Sequence, residues 1–322
     1  MKPRRRDYFI TYTILGFAMA AYSLWGFFGT FLYAAAAKWA DSQEASGFHW
    51  LSRLFFSDWT MVPVQYVFVL GFPYLLVLLI VCRLPKSKRR PKRLMPAEAV
   101  AGFVIALGLG YPLNFIGNMV NLLFSMLKGG DPAAMNPVIE VMNQGLTPGM
   151  VIYTCLLGPV MEEVMFRGIL LSRARRLGDG TAVVFCAVMF GLMHGNLTQF
   201  LYATVIGLVL GYLTVQSGRI RYSVLVHVLI NTYSVLTVLG QELISATGLF
   251  FAEAGYSIAL VGSVLLCVFG GVAFAILYAP DWVRSVRKRE FGRGPGKKYA
   301  WLNPGFLLYA AICAAEIVSY LF

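Results

Sequence analysis

Leu157-Gly158-Pro159-Val160-Met161-Glu162-Glu163-Val164-Met165-Phe166-Arg167-Gly168-Ile169-Leu170 sets two adjacent carboxylates and a guanidinium into an otherwise apolar helix. The surrounding stretch, 148–171, is long enough to cross a bilayer at about 1.5 Å per residue. An ionised side chain at such a depth costs at least several kcal/mol unless it is paired or faces water. A charge cluster inside a membrane span is therefore a functional-site hypothesis from the outset.

The rest of the chain agrees with a membrane setting. Of its 322 residues, 58% are hydrophobic and only 13% charged, with a mean hydropathy of +0.69. A soluble domain is nearer half apolar and a quarter charged, so the expected fold is an all-α, polytopic transmembrane helical bundle. Apolar runs place nine candidate spans at about 9–37, 62–82, 97–127, 148–171, 180–195, 197–217, 221–240, 256–279 and 303–322, a bundle of eight or nine spans. The third is interrupted by Gly110-Tyr111-Pro112, where a kink, a bend or a break is expected. The fifth is short and runs into Gly195-Asn196, which suggests a tight turn within the membrane.

The formal charge of +12 raises the question of nucleic acid, but its distribution answers it. Alternating sides from an inside N-terminus, one side receives Lys2, Arg4, Arg5 and Arg6, the run from Arg83 to Arg93, and Arg173, Arg175, Arg176, Arg219 and Arg221. It also receives the block from Arg284 to Lys298, which brings its share to 23 of the 27 Lys and Arg. The other side keeps Lys38, Arg53 and Lys128. This sorting is what the positive-inside rule demands, and dropping a middle span scrambles it. The basic excess thus marks topology and contact with anionic lipid, with no nucleic-acid partner. Met1 to Arg6 resembles a signal-peptide n-region, but the apolar stretch behind it is about twice a normal h-region, so a retained anchor is expected.

The five cysteines (Cys82, Cys155, Cys186, Cys267, Cys313) all fall in apolar segments without CxxC and read as small hydrophobes. Gly207-x-x-x-Gly211 is a small-residue seam for close helix packing. The 128–147 segment, rich in Gly, Pro and Asn, is expected to be an outside loop carrying a short interfacial helix. The chain divides into N-terminal spans and loops (1–144), a core (145–240) and C-terminal spans with a basic linker at 281–300 (241–322).

Only three histidines occur. His49 lies between Phe48 and Trp50 in an outside loop and reads as interfacial. His194 closes Phe190-Gly191-Leu192-Met193-His194, and His227 opens His227-Val228-Leu229-Ile230-Asn231. At helical spacing Glu163 and Arg167 share a face and can pair. Glu162, rotated by about 100°, has no partner in its own helix. His227 and Asn231 project together, as do Phe190 and His194. The economical arrangement makes Glu163–Arg167 the structural pair and leaves Glu162 to work with His194, His227 and Asn231. Counting rise places Glu162 and His227 about 10 Å from the cytoplasmic surface, with His194 near the mid-plane, so a cytosol-facing catalytic cavity is expected.

A carboxylate in an apolar cavity can act as a base on water near neutral pH. His194 can share that proton or deliver it to a leaving amine, and His227 and Asn231 offer donors for a developing oxyanion. The set suits peptide-bond hydrolysis with water as the nucleophile. Neither Gly-x-Ser-x-Gly nor His-Glu-x-x-His is present. The same residues also leave a second option open, a zinc ion on His194, His227 and Glu162.

Glu162-Glu163-x-x-x-Arg167, Phe190-x-x-x-His194 and His227-x-x-x-Asn231, in that order, resemble the three motifs of the CPBP family. This is the family of CAAX-processing and bacteriocin-processing proteases, also called Abi. The resemblance covers about residues 145–240, and the flanking spans match only in hydropathy. It implies an intramembrane endopeptidase with Glu162 and His194 activating water and His227 and Asn231 forming the oxyanion site. Glu163, Arg167 and Phe190 would support them, and the glutamate-dependent, metal-free mechanism is preferred over the zinc one. It implies a peptide or protein substrate, lipidated in some branches, at a membrane of surrounding lipids. With no organellar signal and no ER-retention tetrapeptide at Leu321-Phe322, a multi-pass protein of a bacterial plasma membrane is expected. Two rivals from other classes remain: a proton-coupled transporter, which predicts inverted repeats, and a non-enzymatic immunity or binding protein.

Overall fold

The computed structural model describes residues 4–43, 47–87, 92–128, 146–287 and 297–321. Ten helices account for them: α1 (Arg5–Ser42), α2 (His49–Phe56), α3 (Met61–Val81), α4 (Pro96–Lys128), α5 (Pro148–Ala174), α6 (Asp179–Leu192), α7 (Leu197–Ser217), α8 (Arg221–Ser245), α9 (Phe250–Arg287) and α10 (Pro304–Leu321). Eight of these are long and apolar enough to cross a membrane. The expected 128–147 loop lies almost wholly outside the described residues, as do residues 288–296 of the 281–300 linker, while its first part continues α9.

Several helices depart from the hydropathy boundaries. The first span, expected at 9–37, is helical over Arg5–Ser42, and the eighth, expected at 256–279, runs over Phe250–Arg287. Hydropathy sees only the part dissolved in hydrocarbon, whereas the backbone ladder continues into polar residues at either end. At the start of α1, Asp7 accepts the Arg4 amide at 2.7 Å and satisfies an orphan donor of the first turn. Of the kink, bend or break expected at Gly110-Tyr111-Pro112, the break does not occur, since α4 is continuous with Pro112 inside it. One turn earlier α9 crosses in backbone contact: a Cβ on Gly108 would lie 2.6 Å from the Gly271 Cα. That packing holds the helix together where propensity alone would break it.

The fifth span is a 14-residue helix, about 21 Å long, too short to cross some 30 Å of hydrocarbon unaided. It ends in a turn at 193–196, with Gly195 in the left-handed region at φ +64°, and the chain returns as α7. The two arms of this hairpin pack through the small-residue seam. Cβ atoms on Gly207 and Gly211 would sit 3.1 Å from the Ala187 Cα and 3.2 Å from a Val183 methyl. Around the hairpin, α4 covers α7 and α9 covers α4, while α1 packs on α3 and α10.

Two apolar cores flank the centre. Tyr12, Phe166, Phe185, Phe190 and Tyr309 belong to one, and Ile105, Leu210, Val226 and Ile230 to the other. Phe166 neighbours Arg167, and Val226 neighbours His227. The polar groups thus emerge along the seam between the cores.

Candidate active site

The centre of the site is a helix that does not wind uniformly. Within α5 the segments Tyr153–Leu157 and Val164–Leu171 are π-helical, with an α-helical turn, Gly158–Glu163, between them. Such wide turns concentrate at functional sites because they free backbone groups and redirect side chains. The first has a local cause. The Gly158 amide bonds back to the Tyr153 carbonyl in the π pattern, so the next amide in that ladder should bond to Thr154. That residue is Pro159, which has no N–H. The orphaned Thr154 carbonyl is satisfied from another helix, by Asn231 Nδ2 at 2.9 Å.

On the next turn Glu163 and Arg167 pair as the spacing predicts, with Arg167 Nη1 2.8 Å from Glu163 Oε1 and both side chains buried. Arg167 also donates from Nη2 to the Gly207 carbonyl at 3.1 Å, and its guanidinium lies 4.7 Å from the centroid of Phe190. The arginine thereby ties α5 to the α7 seam and to the aromatic residue of α6.

The structure adds a contact that spacing within one helix could not supply. His227, from α8, bridges both glutamates: Nδ1 is 3.1 Å from Glu163 Oε1 and Nε2 is 3.6 Å from Glu162 Oε2. Glu163, expected to serve only its arginine, therefore also orients the imidazole. An oxygen already engaged by a guanidinium can only accept, so His227 carries a proton on Nδ1. The opposite nitrogen is turned toward Glu162. Glu162 is the more open of the two carboxylates, its side chain 18% exposed against 0% for Glu163.

His194 occupies the turn after α6. Phe190 touches both imidazoles edge to face, with ring centroids 5.1 Å from His194 and 5.8 Å from His227. Two residues absent from the sequence-derived set orient His194. Asn196 caps α7 by accepting the Gln199 amide at 2.9 Å, and its Nδ2 donates to the His194 carbonyl at 2.9 Å and to Gln199 Oε1 at 2.5 Å. The Gln199 amide nitrogen in turn lies 3.5 Å from His194 Nδ1. Asn196-x-x-Gln199 has the form of a capping box, and that was the signal available in the sequence.

Tyrosines from inside and outside the motif region also reach the site, and no sequence signal singles them out. The hydroxyls of Tyr22 (α1), Tyr66 and Tyr74 (α3), Tyr153 (α5) and Tyr202 (α7) lie within electrostatic reach of Glu162. Tyr74 donates to the Met161 carbonyl directly before Glu162, and the rings of Tyr66 and Tyr153 stack. The expected oxyanion pair is thus partly committed within the protein, Asn231 to Thr154 and His227 to two carboxylates. Of the expected set, Glu162, Glu163, Arg167, Phe190, His194 and His227 come together, while Asn231 turns its amide to α5. Among the described residues no three His, Cys, Asp or Glu side chains form a group able to hold a metal ion. His227 Nε2 and Glu162 Oε2 stand 3.6 Å apart with Nδ1 backed by Glu163, so this pair leaves the zinc option open alongside the metal-free one.

Comparison with known proteins converges on the same segment. Residues 144–233 match the family model described as type II CAAX prenyl endopeptidase Rce1-like. A relative in Bacillus subtilis (strain 168), YdiL, provisionally described as a membrane peptidase, is 27% identical over 166 residues, which is 50% of this chain and 65% of the relative. The matched stretch therefore spans a little under two thirds of that protein. No solved structure matches this chain significantly. The three ordered motifs and these matches agree on a likeness to Rce1-like, CAAX-type endopeptidases over residues 144–233.

Proposed function

We propose that this chain is an intramembrane endopeptidase that hydrolyses a peptide bond of a membrane-associated peptide or protein near the cytoplasmic side. The observation that carries this reading is the placement of His227 between two unequal carboxylates. Glu163, locked by Arg167, fixes the imidazole and turns its far nitrogen toward Glu162.

In the hydrolysis, Glu162 takes a proton from water as the water oxygen attacks the scissile carbonyl carbon. The protonated Nε2 of His227 faces the developing oxyanion, and the second N–H of Asn231 is available as a further donor. When the C–N bond breaks, the proton held by Glu162 passes to the leaving amine, with His194 as the relay. Bonds and protons balance: one amide and one water give one carboxyl and one amine. No step runs through a metal ion. The substrate class to test first is a C-terminal peptide carrying a lipid, in keeping with the description of the matching family.

The test reconstitutes the full chain in vesicles with prenylated and unprenylated peptides and follows cleavage by mass spectrometry. Glu162→Gln preserves shape and should reduce turnover at least 10³-fold with melting unchanged; cleavage by this variant at near the parental rate sinks the mechanism. A parallel arm adds a chelator to active protein and measures bound metal. Stoichiometric zinc whose removal stops cleavage would overturn the metal-free route.

A further inference from the structure

The last span, α10, lies outside the segment that the family model matches and carries a single charged side chain, Glu316. Glu316 is half-buried, five residues before Leu321, and among the described residues its carboxylate has no hydrogen-bond or ion-pair partner. An intramembrane carboxylate without a partner calls for an explanation.

Its surroundings supply one. Tyr309, Cys313 and Glu316 recur at helical spacing on one face of α10, and Tyr309 and Cys313 are fully buried. The Tyr309 hydroxyl donates to the Met189 carbonyl of α6 at 2.7 Å, which fixes this face against the hairpin. Two turns further on, Glu316 meets the turn that follows α6. A Cβ on Gly195 would lie 2.5 and 2.7 Å from the two carboxylate oxygens, so Glu316 rests directly on the glycine backbone. Gly195 is required twice over, by its left-handed φ of +64° and by the space Glu316 occupies. The same turn starts α7, a 21-residue helix whose first amides have no intrahelical acceptors and form its partly positive end. A carboxylate at such an end is favoured over a neutral group.

We propose that Glu316 is a positioning residue of the active site: from α10 it clamps the 193–196 turn and fixes the imidazole of His194, which Asn196 and Gln199 hold from the other side. The consequence for turnover rests on the proposed hydrolase function; the clamp itself does not.

The chain has only three histidines, so the imidazole resonances of histidine-labelled full-length protein in nanodiscs can be assigned with His49→Gln and His227→Gln. In Glu316→Gln the His194 signals should shift or split while those of His49 and His227 stay in place. On a cleaved substrate, kcat should fall roughly tenfold with KM within about twofold, as expected when a reacting group is displaced without loss of substrate contacts. Glu316→Asp keeps the charge one methylene further back and should give an intermediate shift. Unchanged His194 signals in both folded variants overturn the proposal. Loss of the fold in both also overturns it, because Glu316 would then support the bundle in general. The spectroscopic arm needs no turnover, so an inactive chain with a shifted His194 sinks the hydrolase reading and leaves the clamp standing.

Discussion

Replacing Arg167 with alanine separates a structural charge from a working one. The side chain is 2% exposed and holds Glu163 at 2.8 Å, the Gly207 carbonyl at 3.1 Å and the Phe190 ring at 4.7 Å. Arg167→Ala removes all three contacts and strands Glu163, a carboxylate that is 0% exposed, with His227 and Ser223 beside it. Breaking one partner out of a buried pair costs about 3–5 kcal/mol. The cation–π contact and the Gly207 hydrogen bond belong to the same truncation and do not add independently. Arg167→Lys retains the charge but not the planar fork, and should cost less, about 1–2 kcal/mol. Unfolding in mixed micelles, followed by tryptophan fluorescence against increasing SDS fraction, reads these differences directly. The parent should be the most stable, the lysine variant intermediate and the alanine variant the least, with a matching fall in folded yield. An alanine variant within about 1 kcal/mol of the parent that has lost only turnover would show that Glu163–Arg167 is not the structural pair.

Two further substitutions probe the groups around this pair. Asn231→Ala leaves the Thr154 carbonyl without a donor and should cost about 1–3 kcal/mol as well as turnover. Unchanged SDS unfolding combined with a large kcat loss would confine Asn231 to the oxyanion. Asn196→Ala removes the cap of α7 and the support of Gln199, and should cost about 1 kcal/mol together with a several-fold loss of kcat. Full activity in that variant would mean that His194 does not depend on the Asn196–Gln199 network.

Periodicity and polarity carried much of the architecture. Continuous apolar runs dictate helices, because in hydrocarbon every backbone donor and acceptor must be satisfied within its own segment. The i, i+4 spacing of Glu163 and Arg167 was enough to pair them, and the unmatched Glu162 could be read from the same helix. Other features were not legible. Hydropathy stopped α1 and α9 short, because a helix continues past the hydrocarbon wherever its side chains tolerate water. Pro112 left a kink, a bend and a break all open, because the backbone contact between Gly108 and Gly271 joins residues far apart in sequence. The pairing of Asn231 with Thr154 arises from a π-turn ending in proline, and no side-chain pattern encodes that.

The sequence by itself determined an all-helical membrane bundle and the Glu163–Arg167 pair, since each follows from local spacing and the cost of burying polar groups in an apolar span. Only the tertiary structure decided that His227 links the two glutamates, that tyrosines from α1 and α3 reach Glu162, and that Glu316 of the final span rests on the turn bearing His194. These contacts join helices separated by tens to hundreds of residues. They depend on close packing at glycines and on orphaned backbone groups, and both are settled by the assembled bundle.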